Sequence, residues 1–116
     1  MQRLSKYNVT LERATITNTP NNNSKNLKFR GTILCRNIDF TKSVKVHYSM
    51  NNWASTVDTV ARWRRTNLDC THDIFEFEQD LGEKCDDVKT VQFCIRYNTS
   101  SEEFWDNNDG KNYSFQ

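Results

Sequence analysis

The sequence predicts an all-β fold, an antiparallel β-sandwich of immunoglobulin-like architecture with seven or eight strands. Apolar and polar side chains alternate with a period of two in several segments, which indicates strands with one buried face. Turns rich in asparagine, glycine and serine separate these segments. No segment sustains the period of an amphipathic helix. Seven or eight short strands in about 100 residues are typical of such a sandwich.

The alternation is clearest in the central segments, where every second side chain is apolar. In chain order, strands are predicted at residues 7–11, 27–36, 44–50, 59–64, 74–78, 91–97, 104–105 and 113–115. Turns are predicted at residues 20–24, 50–52, 82–83 and 98–101. The Asn-rich run at 21–24 indicates a loop within one domain. We therefore expect residues 1–116 to form a single domain, and to be a fragment of a larger protein.

Composition argues against several partners. The formal net charge is +1, from 16 basic and 15 acidic residues, whereas nucleic-acid binding usually needs a clustered basic excess. No apolar run is long enough to span a membrane, and the first residues do not resemble a signal peptide. The four cysteines, which lack metal-site spacing, are expected to be reduced thiols of a cytoplasmic protein: Cys35, Cys70, Cys85 and Cys94.

The sequence offers little for catalysis. Asp86–Asp87 and Glu102–Glu103 are adjacent pairs, and neighbouring side chains on a strand point to opposite faces, so they cannot be assumed to flank a glycosidic bond. Cys70 and His72 could form half of a metal site, but no second pair lies at suitable spacing. We expect no enzyme activity, no metal and no cofactor.

The most unusual stretch is residues 104–113. It combines three aromatic residues with three asparagines, two aspartates and one of the three glycines. Aromatic rings offer flat apolar faces, and asparagine amides both donate and accept hydrogen bonds. Together they suit a glucose ring, which is apolar on its face and carries hydroxyls at its edge. Asparagine and glycine are equally what a tight turn requires, and both roles can hold at once.

This stretch carries a family resemblance. Trp105-Asp106-Asn107-Asn108, followed by Asn112-Tyr113, resembles the signature of family 21 carbohydrate-binding modules. The run at residues 36–48, followed by Asn52-Trp53, resembles a second motif of that family, and the likeness covers residues 9–115. Such modules bind starch or glycogen and occur in fungal glucoamylases and in glycogen-targeting regulatory subunits of protein phosphatase 1. The resemblance implies the same sandwich fold.

The resemblance also implies a sugar site. It places Trp53 and Trp105 against the sugar, although alternation alone leaves open whether Phe104 or Trp105 points inward. Asn107 and Asn112 would bind hydroxyls. In the same loop, Asn108 either contacts sugar or only shapes the turn, and Asp106 is expected to have a structural role. Cys94, on the strand beside it, stands where relatives can carry a tyrosine. Since cysteine has no ring, the site would offer less stacking surface here.

A second sugar site is implied at Phe40, Lys42 and Trp63. Some starch-binding relatives use the Phe40 position, as tyrosine, in such a site. The alternative is that Phe40 only covers the sandwich edge and that Lys42 is solvated.

The expected function is non-catalytic binding of the α-1,4-glucan of glycogen. By resemblance, the parent protein would bring protein phosphatase 1 to glycogen, with glycogen synthase as a further candidate partner. The phosphatase would dock outside this chain, because the docking-like pattern at residues 89–93 lies on a predicted core strand. The expected location is cytoplasmic and glycogen-associated, without nucleic-acid or membrane partners. The alternatives are a starch-binding module of a secreted amylolytic enzyme and a protein-interaction β-sandwich.

Overall fold

The computed structural model describes residues 8–21, 24–83 and 90–115. All regular structure among them is β, and no helix there has the length and apolar character needed to cross a bilayer. The strands are β1 (Val9–Asn21), β2 (Ser24–Arg36), β3 (Ser43–Ser49), β4 (Val57–Thr66), β5 (His72–Glu83), β6 (Val91–Asn98), β7 (Glu103–Asp106) and β8 (Tyr113–Phe115).

The strands are antiparallel and form two layers that share β4. Neighbours follow the order β1-β2-β5-β4-β3-β6-β7, and β8 pairs with β6. The first half of β4 pairs with β3, and its second half pairs with β5 from Arg62 onward, with a register shift between Trp63 and Arg65. The strand therefore crosses from one layer to the other. The predicted antiparallel sandwich is confirmed.

The core lies between the inner faces of the two layers. The ring of Phe29 on β2 packs edge-on against Tyr48 on β3 at 5.7 Å and against Phe93 on β6 at 4.9 Å. The hydroxyl of buried Tyr97 donates a hydrogen bond of 2.9 Å to the carbonyl oxygen of Arg36. Since an unpaired buried hydroxyl is costly, this bond allows a tyrosine to fill the core. The predicted alternation on β3 and β6 is confirmed by the buried residues Val44, Val46, Tyr48, Val91, Phe93, Ile95 and Tyr97.

The strands predicted at 7–11 and 74–78 are longer in the structure, where they are Val9–Asn21 and His72–Glu83, and two predicted turns are wrong. The predicted turn at 20–24 is narrower, because β1 continues to Asn21, which pairs with Ser24. Pro20 pairs with Lys25 and lies on β1, which is an edge strand, the position in a sheet where proline is tolerated. The predicted turn at 82–83 lies inside β5, where Gly82 has φ +87° beside a register shift in β2. Its glycine marks a β-bulge, which requires the same backbone freedom as a turn.

Asp106 ties the two edges of the structure together. Its side chain is buried, with 7% exposure. Its Oδ2 accepts hydrogen bonds of 2.7 Å from the backbone N–H of Leu11 on β1 and from the hydroxyl of Tyr113 on β8. Its Oδ1 accepts a third, of 3.2 Å, from the backbone N–H of Asn108. The expected structural role of Asp106 is confirmed.

The cysteines in the described part of the chain are free thiols. Cys35 and Cys94 are buried and Cys70 is exposed, whereas Cys85 lies outside the described residues, as do Tyr7 of the first predicted strand and the carboxylate pair 86–87. Burial raises the pKa of the Cys35 thiol far above its usual range. Burial, with a smaller contribution from the carboxylates of Asp58 and Asp106, raises the pKa of Cys94 to about 11.

We predict that Asp106→Ala lowers the free energy of unfolding by about 2–3 kcal/mol, because it leaves buried donors without an acceptor. Urea denaturation of the variant and the parent measures this. Glu102→Ala, which alters an exposed carboxylate next to the same strand, should change stability little. A loss below about 1 kcal/mol for Asp106→Ala would contradict the role given to this carboxylate.

Thiol labelling should separate the cysteines. The thiolate is the reactive form, so Cys70 should react rapidly in the folded protein, while Cys35 and Cys94 should react only after unfolding. Peptide mapping by mass spectrometry after a short alkylation at neutral pH reads each site separately. Equal rates for Cys70 and Cys94 would show that Cys94 is accessible and that its assigned environment is wrong.

Candidate functional site

The outer face of β3, β6 and β7 brings together the two tryptophans that were predicted to contact sugar. His47 lies opposite Cys94, and Arg96 lies opposite Trp105. Trp53 extends from the turn between β3 and β4 onto the same face, because its ring stacks on that of His47. We call these five residues the tryptophan face.

The side chain of Trp105 points outward, and Glu103 and Arg96 contact its indole ring. Its side chain is 42% exposed, whereas its neighbour Phe104 packs inward against the ring of Tyr97 at 5.7 Å. The indole N–H of Trp105 donates a hydrogen bond of 2.9 Å to Glu103. The guanidinium of Arg96 lies 5.6 Å from the ring centroid, which is within cation–π range. The structure thus decides which of the two rings faces solvent.

Trp53 lies in a strained turn. Asn52 and Trp53 have φ of +61° and +69°, a region that bulky side chains rarely adopt. The hydroxyl oxygen of buried Ser49 accepts hydrogen bonds from the backbone N–H of Trp53 at 2.9 Å and of Asn51 at 3.2 Å. The Asn51 side chain in turn accepts one from the backbone of Ser55 at 3.0 Å. Such strain is found mostly at binding and catalytic sites, which makes this turn a functional candidate.

The surface between the tryptophans is polar and lies over a buried thiol. The Nδ1 of His47 lies 2.5 Å from Oδ1 of Asp58, and Oδ2 of Asp58 lies 3.8 Å from the guanidinium of Arg96. Cys94, the position where relatives can carry a tyrosine, is buried and offers no ring. Trp53 and Trp105 are therefore the tryptophan rings that this face offers to a ligand.

The loop between β7 and β8 has the composition expected of both a turn and a binding site. Asn108, Asp109 and Asn112 have φ between +55° and +59°, and Gly110 has φ +89°. The carbonyl oxygen of Asn107 accepts hydrogen bonds from the backbone N–H of Asn112 at 2.7 Å and of Gly110 at 3.1 Å. This tight loop requires residues that tolerate the left-handed conformation.

The three asparagine side chains of that loop differ. Asn108 donates a hydrogen bond of 3.2 Å to the carbonyl oxygen of Asn112, so its amide nitrogen supports the turn. The side-chain oxygen of Asn107 accepts one of 2.9 Å from Gly110. None of the described residues accepts a hydrogen bond from the amide nitrogens of Asn107 or Asn112. These two amides are the ones that remain able to bind a ligand.

Two residues of the predicted second site, Lys42 and Trp63, contact Asp73. The ammonium of Lys42 lies 2.7 Å from Oδ2 of Asp73 and donates a hydrogen bond of 2.8 Å to Asn37. The indole N–H of Trp63 donates one of 3.3 Å to Oδ1 of Asp73. Trp63 is 59% exposed, and Phe40, in the loop before Lys42, is 98% exposed.

The alternative roles stated for Phe40 and Lys42, without a sugar site, are therefore wrong. Phe40 does not cover the sandwich edge, and the side chain of Lys42 is only 11% exposed. Burial by itself would raise the pKa of Asp73, but hydrogen bonds from Lys42, Thr66 and Trp63 and the charge of Lys42 hold that pKa below its usual value. Asp73 thus stays ionised and fixes both partners.

Sequence reasoning missed the residues that position the rings. Ser49, Asp58, Arg96 and Asp73 carry no motif, and each contacts a side chain or backbone group four or more positions away. The only usable signal was the polar composition of the turn at Asn51–Asn52, which indicated a loop but not its acceptors. Strand register, which the sequence does not reveal, brings the others together.

Other kinds of site find little support in the described ranges. No group of three or more His, Cys, Asp and Glu side chains there could hold a metal ion. One groove, of about 960 Å³, is formed by residues of β1, β2, β4 and β5. It is lined mainly by charged and small polar side chains, including Arg13, Arg30 and Glu78. Both tryptophan clusters lie outside it.

Comparison with known proteins shows the family of the chain. Residues 3–116 match the family described as carbohydrate/starch-binding module (family 21). The chain is 35% identical over 93% of its length to glycogen-binding subunit 76A of Drosophila melanogaster, of which the match covers 15%. It is 34% identical over 77% of its length to protein phosphatase 1 regulatory subunit 3B of Danio rerio, of which the match covers 31%. The chain thus spans less than a third of each of these relatives.

Solved structures show the same fold. The carbohydrate-binding module of the muscle glycogen-targeting subunit of protein phosphatase 1 superposes with a TM-score of 0.68 at 30% identity, over 98% of this chain and 78% of that one. The starch-binding domain of Rhizopus oryzae glucoamylase, solved with β-cyclodextrin and maltoheptaose, superposes with a TM-score of 0.70 at 23% identity, over 97% and 95%. From the match over nearly its whole length, the chain belongs to family 21 of the carbohydrate/starch-binding modules.

Proposed function

We propose that residues 1–116 of this chain form one non-catalytic domain of a longer regulatory subunit. This domain binds the α-1,4-glucan of glycogen. The observation that carries this proposal is the tryptophan face, where the indoles of Trp53 and Trp105 share one outer surface. Trp53 and Trp105 stack on glucose rings, and Asn107 and Asn112 bind hydroxyls. The remaining oxygen of Asn108 accepts a hydroxyl at the edge of the site.

The second cluster provides another glucan contact in this proposal. Phe40 and Trp63 are exposed rings on which a sugar can stack. Lys42 has three N–H donors, of which Asp73 and Asn37 take two, so one remains for a hydroxyl. Two sites on one module raise the effective affinity for a branched polymer without any new contact.

The partners of the longer protein follow from its relatives. Two of them are named as regulatory subunits of protein phosphatase 1 or as glycogen-binding subunits, which supports a role in placing that phosphatase at glycogen in the cytoplasm. Glycogen synthase is a further proposed partner. Lys89 of the docking-like pattern lies outside the described residues, while Val91 and Phe93 are buried in β6. In this proposal the phosphatase docks through another region. The balanced charge favours neither nucleic acid nor membranes as partners.

A protein-interaction module is the second candidate. One observation favours it: Leu68, in the loop between β4 and β5, is fully exposed and has no flat face on which a sugar could stack. An aliphatic side chain of this kind suits an apolar pocket on a protein. The likeness to the glucoamylase domain, below 25% identity, supports the fold alone and gives no preference to a secreted amylolytic enzyme.

The first experiment is a titration with maltoheptaose, followed by tryptophan fluorescence, of the parent and of Trp105→Ala. The parent should show a saturable change with a dissociation constant on the order of micromolar to millimolar, since a shallow site leaves the sugar partly solvated. The variant should bind about tenfold more weakly or not at all, because a stacking ring dominates such a site.

Leu68→Ala serves as the matched surface control and should bind like the parent, because its side chain contacts neither cluster. No response of the folded parent to maltoheptaose, together with no retention on immobilised glycogen, would overturn the proposed function. The protein-interaction module would then be the leading candidate.

Ser49→Ala should weaken binding through the strained turn. Removing the hydroxyl leaves the N–H groups of Trp53 and Asn51 without their acceptor, which should cost about 1–2 kcal/mol of stability. Trp53 should then lose its fixed orientation, and affinity for maltoheptaose should fall several-fold. Ser43→Ala, at an exposed position of the same strand, is the control. Unchanged affinity in Ser49→Ala would show that Trp53 needs no such support or does not contact the sugar.

A further inference from the structure

A continuous line of side-chain contacts joins the two tryptophans. Trp53 stacks on His47 with ring centroids 5.7 Å apart and an angle of 25° between the planes. His47 meets one oxygen of Asp58 at 2.5 Å, and the other oxygen of Asp58 lies 3.8 Å from Arg96. Arg96 lies over the ring of Trp105 at 5.6 Å.

Strand register brings these groups together from three strands. His47 on β3 lies directly opposite Asp58 on β4 and opposite Cys94 on β6. Arg96 is two residues beyond Cys94, so its side chain is on the same outer face. It lies diagonally from His47 and reaches across β3 to Asp58. Among the described residues, the carboxylate of Asp58 contacts both His47 and Arg96, and it touches neither tryptophan.

The charges around Arg96 favour this arrangement. Lys45 on β3 is directly opposite Arg96, and like charges at opposed positions repel. Asp58 on one side and the ring of Trp105 on the other are the attractive partners that remain within contact. Arg96 is therefore directed into the line between the tryptophans, and away from Lys45.

We propose that His47, Asp58 and Arg96 are positioning residues that hold the two tryptophan rings in a fixed relative orientation for the glucan. The proposal rests on the proposed function, since it concerns the same site. A pair of rings that is already aligned loses less conformational freedom when the sugar binds, which increases affinity. The ion pairs are partly exposed, and such pairs add little to stability, so their main effect is on ring orientation.

Asp58→Ala tests the centre of the line without altering either ring. Maltoheptaose should bind about three- to tenfold more weakly, the range expected for a change in coupling at a site the residue does not touch. In ¹H–¹⁵N spectra of the free protein, the indole N–H resonances of both Trp53 and Trp105 should shift. That of Trp63, which donates to Asp73, should stay in place.

Glu78→Ala is the matched control. Glu78 is also an exposed carboxylate between two cations, Lys28 at 3.8 Å and Arg30 at 3.6 Å, but it lies on β5 in the other layer. It should change neither the affinity nor the indole resonances. Asp58→Glu, which keeps the carboxylate, should recover most of the affinity that the alanine variant loses.

Two failures are distinguishable. If the parent binds maltoheptaose and Asp58→Ala binds it equally well with unshifted indole resonances, the positioning role is overturned while the proposed function stands. If the parent itself shows no saturable response, the proposed function fails and the positioning role for glucan falls with it. Indole shifts confined to Trp53 would also overturn the inference, because Asp58 would then have no influence on Trp105 through Arg96.

Discussion

The buried carboxylate of Asp106 is the interaction on which the candidate site depends. It accepts hydrogen bonds from β1, from β8 and from the first turn of the loop that carries the asparagines. Leu11 is 95 residues away in the chain, so this one side chain joins the first strand to the last two. The hydrogen bond from the backbone N–H of Leu11 holds β7 against β1. Trp105, immediately before Asp106, therefore projects from a rigid strand.

The site itself combines strain with exposure. Both of its loops contain residues with positive φ, and one of them is a tryptophan, for which that conformation is rare. Ser49 offsets the strain at Trp53 with hydrogen bonds to the backbone, and the carbonyl of Asn107 does the same for the second loop. The same features explain why composition alone was ambiguous: left-handed turns and hydroxyl recognition both favour asparagine. Here the structure assigns the nitrogen of Asn108 to the turn, whereas no described residue accepts a hydrogen bond from those of Asn107 and Asn112.

At both aromatic clusters, the tryptophan face and the group around Asp73, a carboxylate accepts a hydrogen bond from one ring and lies beside a cationic side chain. Asp58 contacts His47 and Arg96, and Asp73 contacts Trp63 and Lys42. The difference is burial, since Asp73 is enclosed whereas Asp58 is partly exposed. Ring orientation at the second cluster should therefore resist salt and solvent more than it does at the first. In the proposed function, a shallow module of this kind would act on glycogen through many weak contacts.

The sequence by itself determined the strands, their buried faces and the family, because alternation and the Trp-Asp-Asn-Asn signature are local patterns. It also identified Trp53, Trp105 and the asparagine loop as candidates, and it indicated a structural role for Asp106. It misplaced the end of β5, since a glycine in a bulge and a glycine in a turn have the same local requirement. Only the tertiary structure decided that Lys42 is enclosed beside Asp73, that Phe104 faces inward, and that His47, Asp58 and Arg96 meet. These contacts depend on the register between strands far apart in the chain, and register follows from the packing of the whole sandwich.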